Sequence, residues 1–186
     1  MDQTIAFILL AILIVAVIGF GISIYNRLVL LKFNVDKAYG NIDVILKQRA
    51  DEIPNLVQVA KHFMNYEKDI LERLTQLRTS YLSSQNADEK TALANETSKA
   101  LTSFFAVSEN YPNLVSNSNF LELQKRISEL ENKIADRREF FNDSVNLYNI
   151  SIHEFPNLIL AGLLGYKDKT ILEITDREKR YDGVQF

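Results

Sequence analysis

The chain has 186 residues, of which 47% are apolar and 24% charged, and its net charge is −3 at pH 7. This length favours one domain of ordinary size over a multidomain enzyme. The absence of cysteine excludes disulfides, cysteine-ligated zinc and thiol catalysis. The negative charge provides no overall attraction to nucleic acid or to an anionic lipid surface.

The apolar residues are concentrated near the N-terminus. Between Ile5 and Ile24, 17 of 20 residues are apolar and none is charged. Twenty helical residues span about 30 Å, the thickness of the hydrocarbon core of a bilayer, so we predict a transmembrane helix over residues 5–24. The residues before it carry no Lys or Arg, and no A-x-A cleavage site follows, which favours an uncleaved anchor over a signal peptide.

The charges that flank the span predict its orientation. Arg27, Lys32 and Lys37 follow the span, whereas neither Lys nor Arg precedes it. The positive-inside rule therefore predicts a single-pass protein of the cell membrane, with residues 1–4 as a short extracytoplasmic N-terminus and the C-terminal domain in the cytoplasm.

Residues 25–165 are predicted to form a helical body. No glycine occurs between Asn41 and Ala161, although the turns of a sheet of that size would mostly need Gly, Pro, Asn or Asp. Apolar residues recur instead at intervals of three and four, which is the spacing of an amphipathic helix. We therefore predict an all-α fold, in which a single N-terminal transmembrane helix is followed by an antiparallel bundle of long helices in three to four helical segments.

Three helical stretches are expected in that body. One apolar stripe begins at Leu31 and continues to Tyr81, a shorter helix covers about residues 88–109, and a long helix begins at the predicted N-cap Asn119. Residues 166–186 are predicted to form a charged, weakly patterned tail. Its strongest expected contacts are Ile171, Leu172 and Ile174.

All three prolines occur in one recurring phrase, in which a bulky residue precedes Pro-Asn-Leu and a branched residue follows. The candidate motif residues are Pro54, Asn55, Leu56, Pro112, Asn113, Leu114, Pro156, Asn157 and Leu158. Each proline is expected to kink or end a helix, the asparagine to cap the freed backbone groups, and the leucine to return to the core. Two interpretations remain open: three helix-punctuation sites, or three copies that lie close together as a conformational or partner surface.

Three charged residues lie close to the predicted apolar seams. Arg49 and Glu67 fall on the first stripe, and Arg137 occupies the interval between Ile134 and Phe141. One interpretation is that they snorkel at the edge of the bundle. The alternative is a partly buried network of arginines and carboxylates that fixes the register of the helices.

Short phrases in a fixed order carry a family resemblance over most of the chain. They are Tyr25-Asn26-Arg27-Leu28, Ala38-Tyr39-Gly40-Asn41-Ile42-Asp43-Val44, Leu46-Lys47-Gln48-Arg49, Ile53-Pro54-Asn55-Leu56-Val57, Tyr66-Glu67, Glu109-Asn110-Tyr111-Pro112-Asn113-Leu114, Arg137-Arg138, Phe141-Asn142, Tyr148-Asn149 and Phe155-Pro156. With these phrases the chain resembles the LemA family of bacterial and archaeal membrane proteins. The resemblance implies one N-terminal span followed by a cytoplasmic bundle of long helices, and no established enzymatic activity.

Motifs that would support catalysis are missing from the sequence. Neither His62 nor His153 has a glutamate three residues before it, as a di-iron bundle requires. The glycine-free region leaves no room for a Walker A loop or a dinucleotide fingerprint. Lys and Arg alternate with Asp and Glu, which is typical of a solvated helix face and not of a nucleic-acid surface. We therefore expect no enzyme, cofactor, metal, nucleic acid or small-molecule substrate.

The sequence favours a membrane-anchored scaffold, adaptor or self-assembling protein. Its partners would be the lipid bilayer and either another protein or further copies of itself, because long apolar stripes on three helices can leave surface uncovered. The alternative is a single-span signal transducer that couples the state of the membrane to a cytoplasmic partner.

Overall fold

The computed structural model describes residues 2–64 and 66–172, and over these residues it contains helices and no strand. The helices are α1 (Asp2–Lys61), α2 (Lys68–Ser83), α3 (Ala87–Ser108), α4 (Pro112–Val115), α5 (Ser118–His153) and α6 (Asn157–Leu163). The predicted all-α class, with one long apolar N-terminal helix and several packed helical segments, is confirmed.

The chain divides into two compact units. Among the described residues, unit 1 comprises residues 2–39 and Phe140–Ile171, and unit 2 comprises Gly40–Glu139 together with Leu172. The predicted body of residues 25–165 is therefore shared between two units. The predicted contact Ile174 and the rest of the tail from residue 173 onward lie outside the described residues.

The beginning of α1 is long and apolar enough to cross a membrane, with a mean hydropathy of 3.2 in its most apolar stretch. Its large apolar side chains from Ile5 to Ile22 are between 50% and 71% exposed. Packing against the chain begins close to the end of the predicted span, since Leu28 is completely buried. A side-chain surface that is apolar and uncovered over this length is what a lipid solvent requires.

The buried positions of the two longest helices follow a seam. Along both helices the buried residues recur mostly at alternating steps of three and four residues, but each helix contains one place where two steps of four follow each other. In α1 these two steps join Ala38, Ile42 and Leu46. In α5 the double step joins Leu130, Ile134 and Arg138. Such a stutter lets a seam follow the true period of an α-helix, 3.6 residues, instead of drifting around it.

Unit 2 is a bundle in which neighbouring helices alternate in direction. Polar contacts from α1 show the directions of the helices. As the residue number rises along α1, the numbers of the residues that it contacts fall in α2 and α5 and rise in α3, so α2 and α5 run antiparallel to α1 and α3 runs parallel to it. The contacts are Asp43–Tyr81 and Ala50–Arg78 to α2, Asp43–Lys90 and Arg49–Ser98 to α3, and Arg49–Glu131 and Glu52–Arg126 to α5. The antiparallel arrangement expected for helices joined by short loops is therefore present.

One apolar cluster fills the interior of unit 2 and draws on every helix of that unit. Its members are Ile53, Leu56, Val57, Ala60, Met64, Leu71, Leu74, Leu101, Phe104, Leu114, Phe120, Leu123 and Ile127. Phe104 and Phe120 are fully buried, and their ring centroids lie 6.2 Å apart. This distance lies within the range of stabilising aromatic pairs.

The predicted stripe from Leu31 to Tyr81 is not one helix. The chain leaves helical geometry between α1 and α2, where Phe63 and Met64 both donate to the carbonyl of Ala60. Met64 is almost fully buried in the core of unit 2 and holds the turn in place. Nothing in the apolar spacing marks this break, because the buried side chains on both sides keep helical intervals.

Helix starts were predicted to within a few residues. The α3 cap is Asn86, whose Oδ1 accepts from the amides of Asp88 and Glu89. The predicted cap of the long helix, Asn119, is wrong. Asn117 performs that role, since its Oδ1 accepts from the amide of Phe120 at 3.1 Å. Both asparagines have the same capping chemistry, and the buried position of Phe120 decides between them.

In unit 1 the residues that follow α6 are attached by polar contacts. The side-chain amide of Asn149 makes two hydrogen bonds with the backbone of Lys169, each 2.9 Å long: its Nδ2 donates to the Lys169 carbonyl, and its Oδ1 accepts from the Lys169 amide. Lys169 Nζ reaches Asp36. Ile171, which was expected to be a main contact of the tail, is 60% exposed. The expectation is therefore wrong for Ile171, whereas Leu172 is half-buried.

Candidate functional site

The first copy of the proline phrase lies inside α1 and does not end the helix. Pro54 has no amide hydrogen, so the carbonyl of Ala50, one turn earlier, loses its helical donor. Arg78 from α2 supplies a replacement, because its Nε donates to the Ala50 oxygen at 3.0 Å. Ala50 is buried, so this carbonyl would otherwise have no partner.

The second copy begins the short helix α4, with Pro112 in its first turn, where an amide hydrogen is not needed. Its leucine, Leu114, is fully buried in the same cluster as Leu56 of the first copy. Asn113 is exposed. Just before the proline, the Tyr111 hydroxyl donates to Glu67 at 3.3 Å. Partial burial and the negative charge of Glu67 raise the pKa of Tyr111.

The third copy lies in unit 1, after a cis Phe155–Pro156 peptide bond. Asn157 is buried, and its Nδ2 donates to the carbonyl of Ser151 at 3.1 Å. It thereby satisfies one of the last carbonyls of α5, as expected for a capping asparagine. Leu158, however, is about half exposed. The expectation that every leucine of the phrase returns to the core is wrong for this copy, because α6 turns its other face inward.

The three copies therefore differ in surroundings. Leu56 and Leu114 meet in one core within unit 2, while Leu158 belongs to unit 1. The asparagines differ as well: Asn55 is exposed and donates to Glu52 at 3.3 Å, whereas Asn157 is buried. A common phrase thus serves a helix interior, a helix start and an interhelical turn.

Arg49 is the centre of a buried polar network in unit 2. It is only 2% exposed, and it joins α1 to α3 and α5. Its Nη1 donates to Glu131 at 2.6 Å and to Ser98 at 2.7 Å, and its Nη2 donates to the carbonyl of Ala94 at 3.0 Å. Ser98 also donates to Glu131. A single buried guanidinium thus connects α1 to both α3 and α5 through hydrogen bonds of fixed geometry.

The other two charged candidates lie in different surroundings. Glu67 precedes the first residue of α2 and accepts from Tyr111, so it lies in the turn and not on the α1 seam. The seam position predicted for Arg137 is corrected by the structure. Arg137 is exposed, and the neighbouring Arg138 is buried and donates to Asn95 at 2.8 Å. The stutter in α5 moves the buried position by one residue.

A second polar group in unit 2 escaped the sequence argument. Asp43 accepts from the Tyr81 hydroxyl at 2.8 Å and from the Lys90 ammonium at 3.0 Å, which connects α1 to α2 and α3. Burial opposes ionisation, but the hydrogen bonds from Lys90 and Tyr81 and the charges of Lys90 and Lys47 hold the pKa of Asp43 below its ordinary 3.8. Its position beside Ile42, next to the seam, was the available signal.

Two open depressions flank the first proline phrase in unit 2. The Pro54 groove, of about 410 Å³, lies between α1 and α2 and is lined by Ile53, Pro54, Val57, Gln58, Lys61, His62, Thr75 and Arg78. Its lining is mostly apolar, its charged side chains are cationic, and it includes no carboxylate. The second depression, of about 540 Å³, lies on the Asn55 side and has a mixed lining with charges of both signs: Asn55, Gln58, Val59, His62, Phe63, Asn117, Asn119, Glu122, Leu123 and Arg126.

Within the described residues no group of three His, Cys, Asp or Glu side chains could hold a metal ion. His153 lies at the surface, and its Nε2 is 2.9 Å from Asp168. Two of the buried polar side chains, Arg49 and Asn157, have structural hydrogen-bond partners. These groups connect helices, and the Pro54 groove is an open apolar surface with cationic edges.

The fold and its surfaces define an all-α membrane protein with an apolar span and a helical body stabilised by buried polar contacts. The family model of the LemA family matches residues 38–186, so the chain belongs to the LemA family. This region contains all three proline phrases and the Arg49 network.

Curated relatives of the chain are magnetosome proteins. Magnetosome proteins MamQ 1 and MamQ 2 of Paramagnetospirillum magneticum are each 23% identical over 180 residues, which is 83% of this chain and 66% of theirs. Magnetosome protein MamQ of Magnetospirillum gryphiswaldense is 34% identical over 68 residues, which is 37% of this chain and 25% of its own. The chain thus spans slightly under two thirds of the length of the first two relatives.

Proposed function

We propose that this LemA family protein is a non-enzymatic scaffold, adaptor or self-assembling protein, anchored at the cytoplasmic membrane by residues 5–24. Its helical body binds another protein or a second copy of the chain. The single observation that carries the proposal is the Pro54 groove of unit 2. An apolar depression with basic residues at its edge fits the docking of a protein segment better than the binding of a polar metabolite.

The chemistry of the groove specifies the partner further. Ile53 and Val57, which are themselves buried, form the apolar floor of the groove, while Lys61 and Arg78 contribute positive charge. A segment with an apolar side chain flanked by Asp or Glu would complement both features. Because Arg78 also replaces the missing donor at Pro54, its guanidinium is held in place before a partner arrives.

The proposal places the body in the cytoplasm. Arg27, Lys32 and Lys37 all lie in the first few helical turns after the span. Cations close to the end of a transmembrane helix favour the cytoplasmic side, where they are not translocated. A reporter that is active only in the cytoplasm, fused to the C-terminus, tests this orientation. We expect the fusion to be active.

Site-specific photo-crosslinking in intact membranes tests the docking surface. A photoreactive amino acid replaces Gln58, which lines both the Pro54 groove and the second depression, or Gln85 as the matched control in the α2–α3 turn. Lys61 lines the Pro54 groove and not the second depression, so a substitution there distinguishes the two. We expect a defined crosslinked product from position 58 and none from position 85. Lys61→Glu is expected to reduce the yield at position 58 several-fold, because it removes the charge complementarity.

The identity of the crosslinked peptide, found by mass spectrometry, separates the two forms of the proposal. A peptide of this chain supports self-assembly, and a peptide of another protein supports an adaptor. If position 58 gives no more product than position 85, and the protein is monomeric in the membrane, the scaffold function is wrong.

The alternative, a single-span signal transducer, is favoured by one observation. The span and the first helix of the body belong to the same helix, α1, without a non-helical linker. Such a connection can carry a shift of the span into the body. A crosslinking yield at position 58 that changes with bilayer thickness would favour the transducer, whereas an unchanged yield favours the scaffold.

A further inference from the structure

We propose that unit 1 has a second lipid contact in addition to the span: the outward face of α6 lies in the interface of the bilayer. The α6 patch consists of Phe155, Leu158, Ile159, Leu163 and Leu164. Phe155 is 82% exposed and Leu163 is 86% exposed. This lipid contact is possible in either orientation of the span, and it does not depend on the Pro54 groove.

The polarity of α6 is inverted relative to a helix of a water-soluble domain. Asn157 and Ala161, one turn apart, are its buried residues. Ile159 and Leu163, also one turn apart, point away from the unit and are exposed. A helix that places an amide and a methyl group inside and large apolar side chains outside is adapted to an apolar environment.

Contacts within unit 1 give the position of α6 along α1. The ring of Tyr39 contacts Phe141 at 5.9 Å, and seven residues earlier Lys32 lies 5.1 Å above the ring of Tyr166. Tyr166 in turn contacts Tyr148, which lies seven residues after Phe141. α5 therefore runs antiparallel to α1 in this unit and approaches the end of the span.

The same register places both ends of α6 near the bilayer. Asn157 is hydrogen-bonded to Ser151, which is level with residue 29 of α1, and Tyr166 is level with Lys32. At 1.5 Å per residue these levels lie about 10 Å beyond Ile24, the last apolar residue of the span. Headgroup regions occupy about 5–8 Å on each side of the hydrocarbon core, so large side chains on α6 can reach them.

The residues that surround the patch agree with an interfacial location. Tyr25 at the end of the span is partly exposed, and Lys167, four residues after the end of α6, is exposed. Aromatic side chains and lysines are enriched where a membrane meets water. The lipid surface that already surrounds the span is thus continuous with the α6 patch.

Spin labelling of the full chain in lipid nanodiscs tests this inference. The sequence contains no cysteine, so Leu163→Cys provides a unique attachment site. A label there is expected to lie in the headgroup region. Its accessibility to a water-soluble nickel chelate should be well below that of a label in water, and its accessibility to oxygen should lie between those of labels in water and in the span. Tyr66→Cys, at a side chain that is 93% exposed in unit 2, is the aqueous control. Val15→Cys in the span is the lipid control.

Two outcomes would overturn the inference. One is a label at position 163 with the same nickel accessibility as the label at position 66, while position 15 reports lipid. The other is dipolar broadening at position 163 that disappears on dilution with unlabelled protein, since this would show that a second copy covers the patch. Ile159→Cys repeats the measurement on the same face, and agreement between the two positions supports the inference.

Discussion

At the scale of single residues, a proline inside α1, about two turns before the end of the helix, is accommodated by a side chain from the next helix. Pro54 deprives the Ala50 carbonyl of a donor, and Arg78 Nε provides one. The arrangement explains how α1 continues past Pro54 to Lys61. It also shows why a proline in the sequence indicates a missing donor but does not reveal whether the helix ends there.

A double-mutant cycle on Pro54 and Arg78 tests this compensation. Arg78→Met should lower the free energy of unfolding by about 1–3 kcal/mol, because it leaves the buried Ala50 carbonyl without a partner. In the Pro54→Ala background the same substitution should cost at least about 1 kcal/mol less, since the new backbone amide can donate to Ala50. Denaturant unfolding in detergent, followed by circular dichroism, measures both. Equal costs in the two backgrounds would show that Arg78 does not compensate for the proline.

The residue scale also shows which predictions succeeded and why others failed. Arg49 was selected because it falls on the apolar stripe, and the structure buries it with several partners. Arg137 was selected by the same argument, but the stutter in α5 buries Arg138 in its place. Two adjacent arginines have the same composition and charge, so only the packing of the seam distinguishes them.

At the scale of helices, the seams and the polar network perform different tasks. Apolar positions at steps of three and four bring α1 and α5 together, but similar side chains could also pack one turn out of register. The fork of Arg49, with acceptors on α3 and α5, makes only one register satisfactory. We propose on this basis that Arg49 fixes the register of the helices.

Replacement of Arg49 tests that proposal. Arg49→Leu removes the cation that pairs with Glu131 and leaves this carboxylate with the Ser98 hydroxyl as its remaining donor from the network, in a site that is largely closed to water. We therefore expect a loss of about 3 kcal/mol in the free energy of unfolding. Arg73→Leu is the matched control, because Arg73 pairs with Glu96 while both side chains are more than half exposed. It should cost less than about 1 kcal/mol. A loss below about 1 kcal/mol for Arg49→Leu would exclude a buried network that fixes the register.

At the scale of the whole molecule, apolar side chains have different surroundings in the two units. Unit 2 encloses an ordinary apolar core that includes Leu56 and Leu114. Unit 1 carries the apolar span and the exposed α6 patch, including Leu158. Leucines in the same phrase therefore contribute differently to stability, according to the unit in which each lies.

A matched series of leucine substitutions makes this difference measurable. Leu56→Ala and Leu114→Ala each create a cavity in the core of unit 2 and should cost about 2–5 kcal/mol. Leu158→Ala removes a half-exposed side chain, leaves no cavity and should cost less than about 1 kcal/mol. Thermal unfolding of the three variants in one detergent compares them directly. A cost for Leu158→Ala as large as that for Leu114→Ala would show that Leu158 is covered by the chain.

The sequence alone determined the helical class, the apolar span and the main seams, because each of these depends on composition or on local spacing along the chain. The family was recognised from short phrases in a fixed order. The break between α1 and α2, the burial of Arg138 in place of Arg137 and the outward position of Leu158 were decided by tertiary structure. In each case, several local conformations satisfy the same apolar pattern. The choice among them depends on contacts beyond the local pattern, such as the core around Met64, the amide of Asn95 that accepts from Arg138, and the carbonyl of Ser151 that holds Asn157 inward.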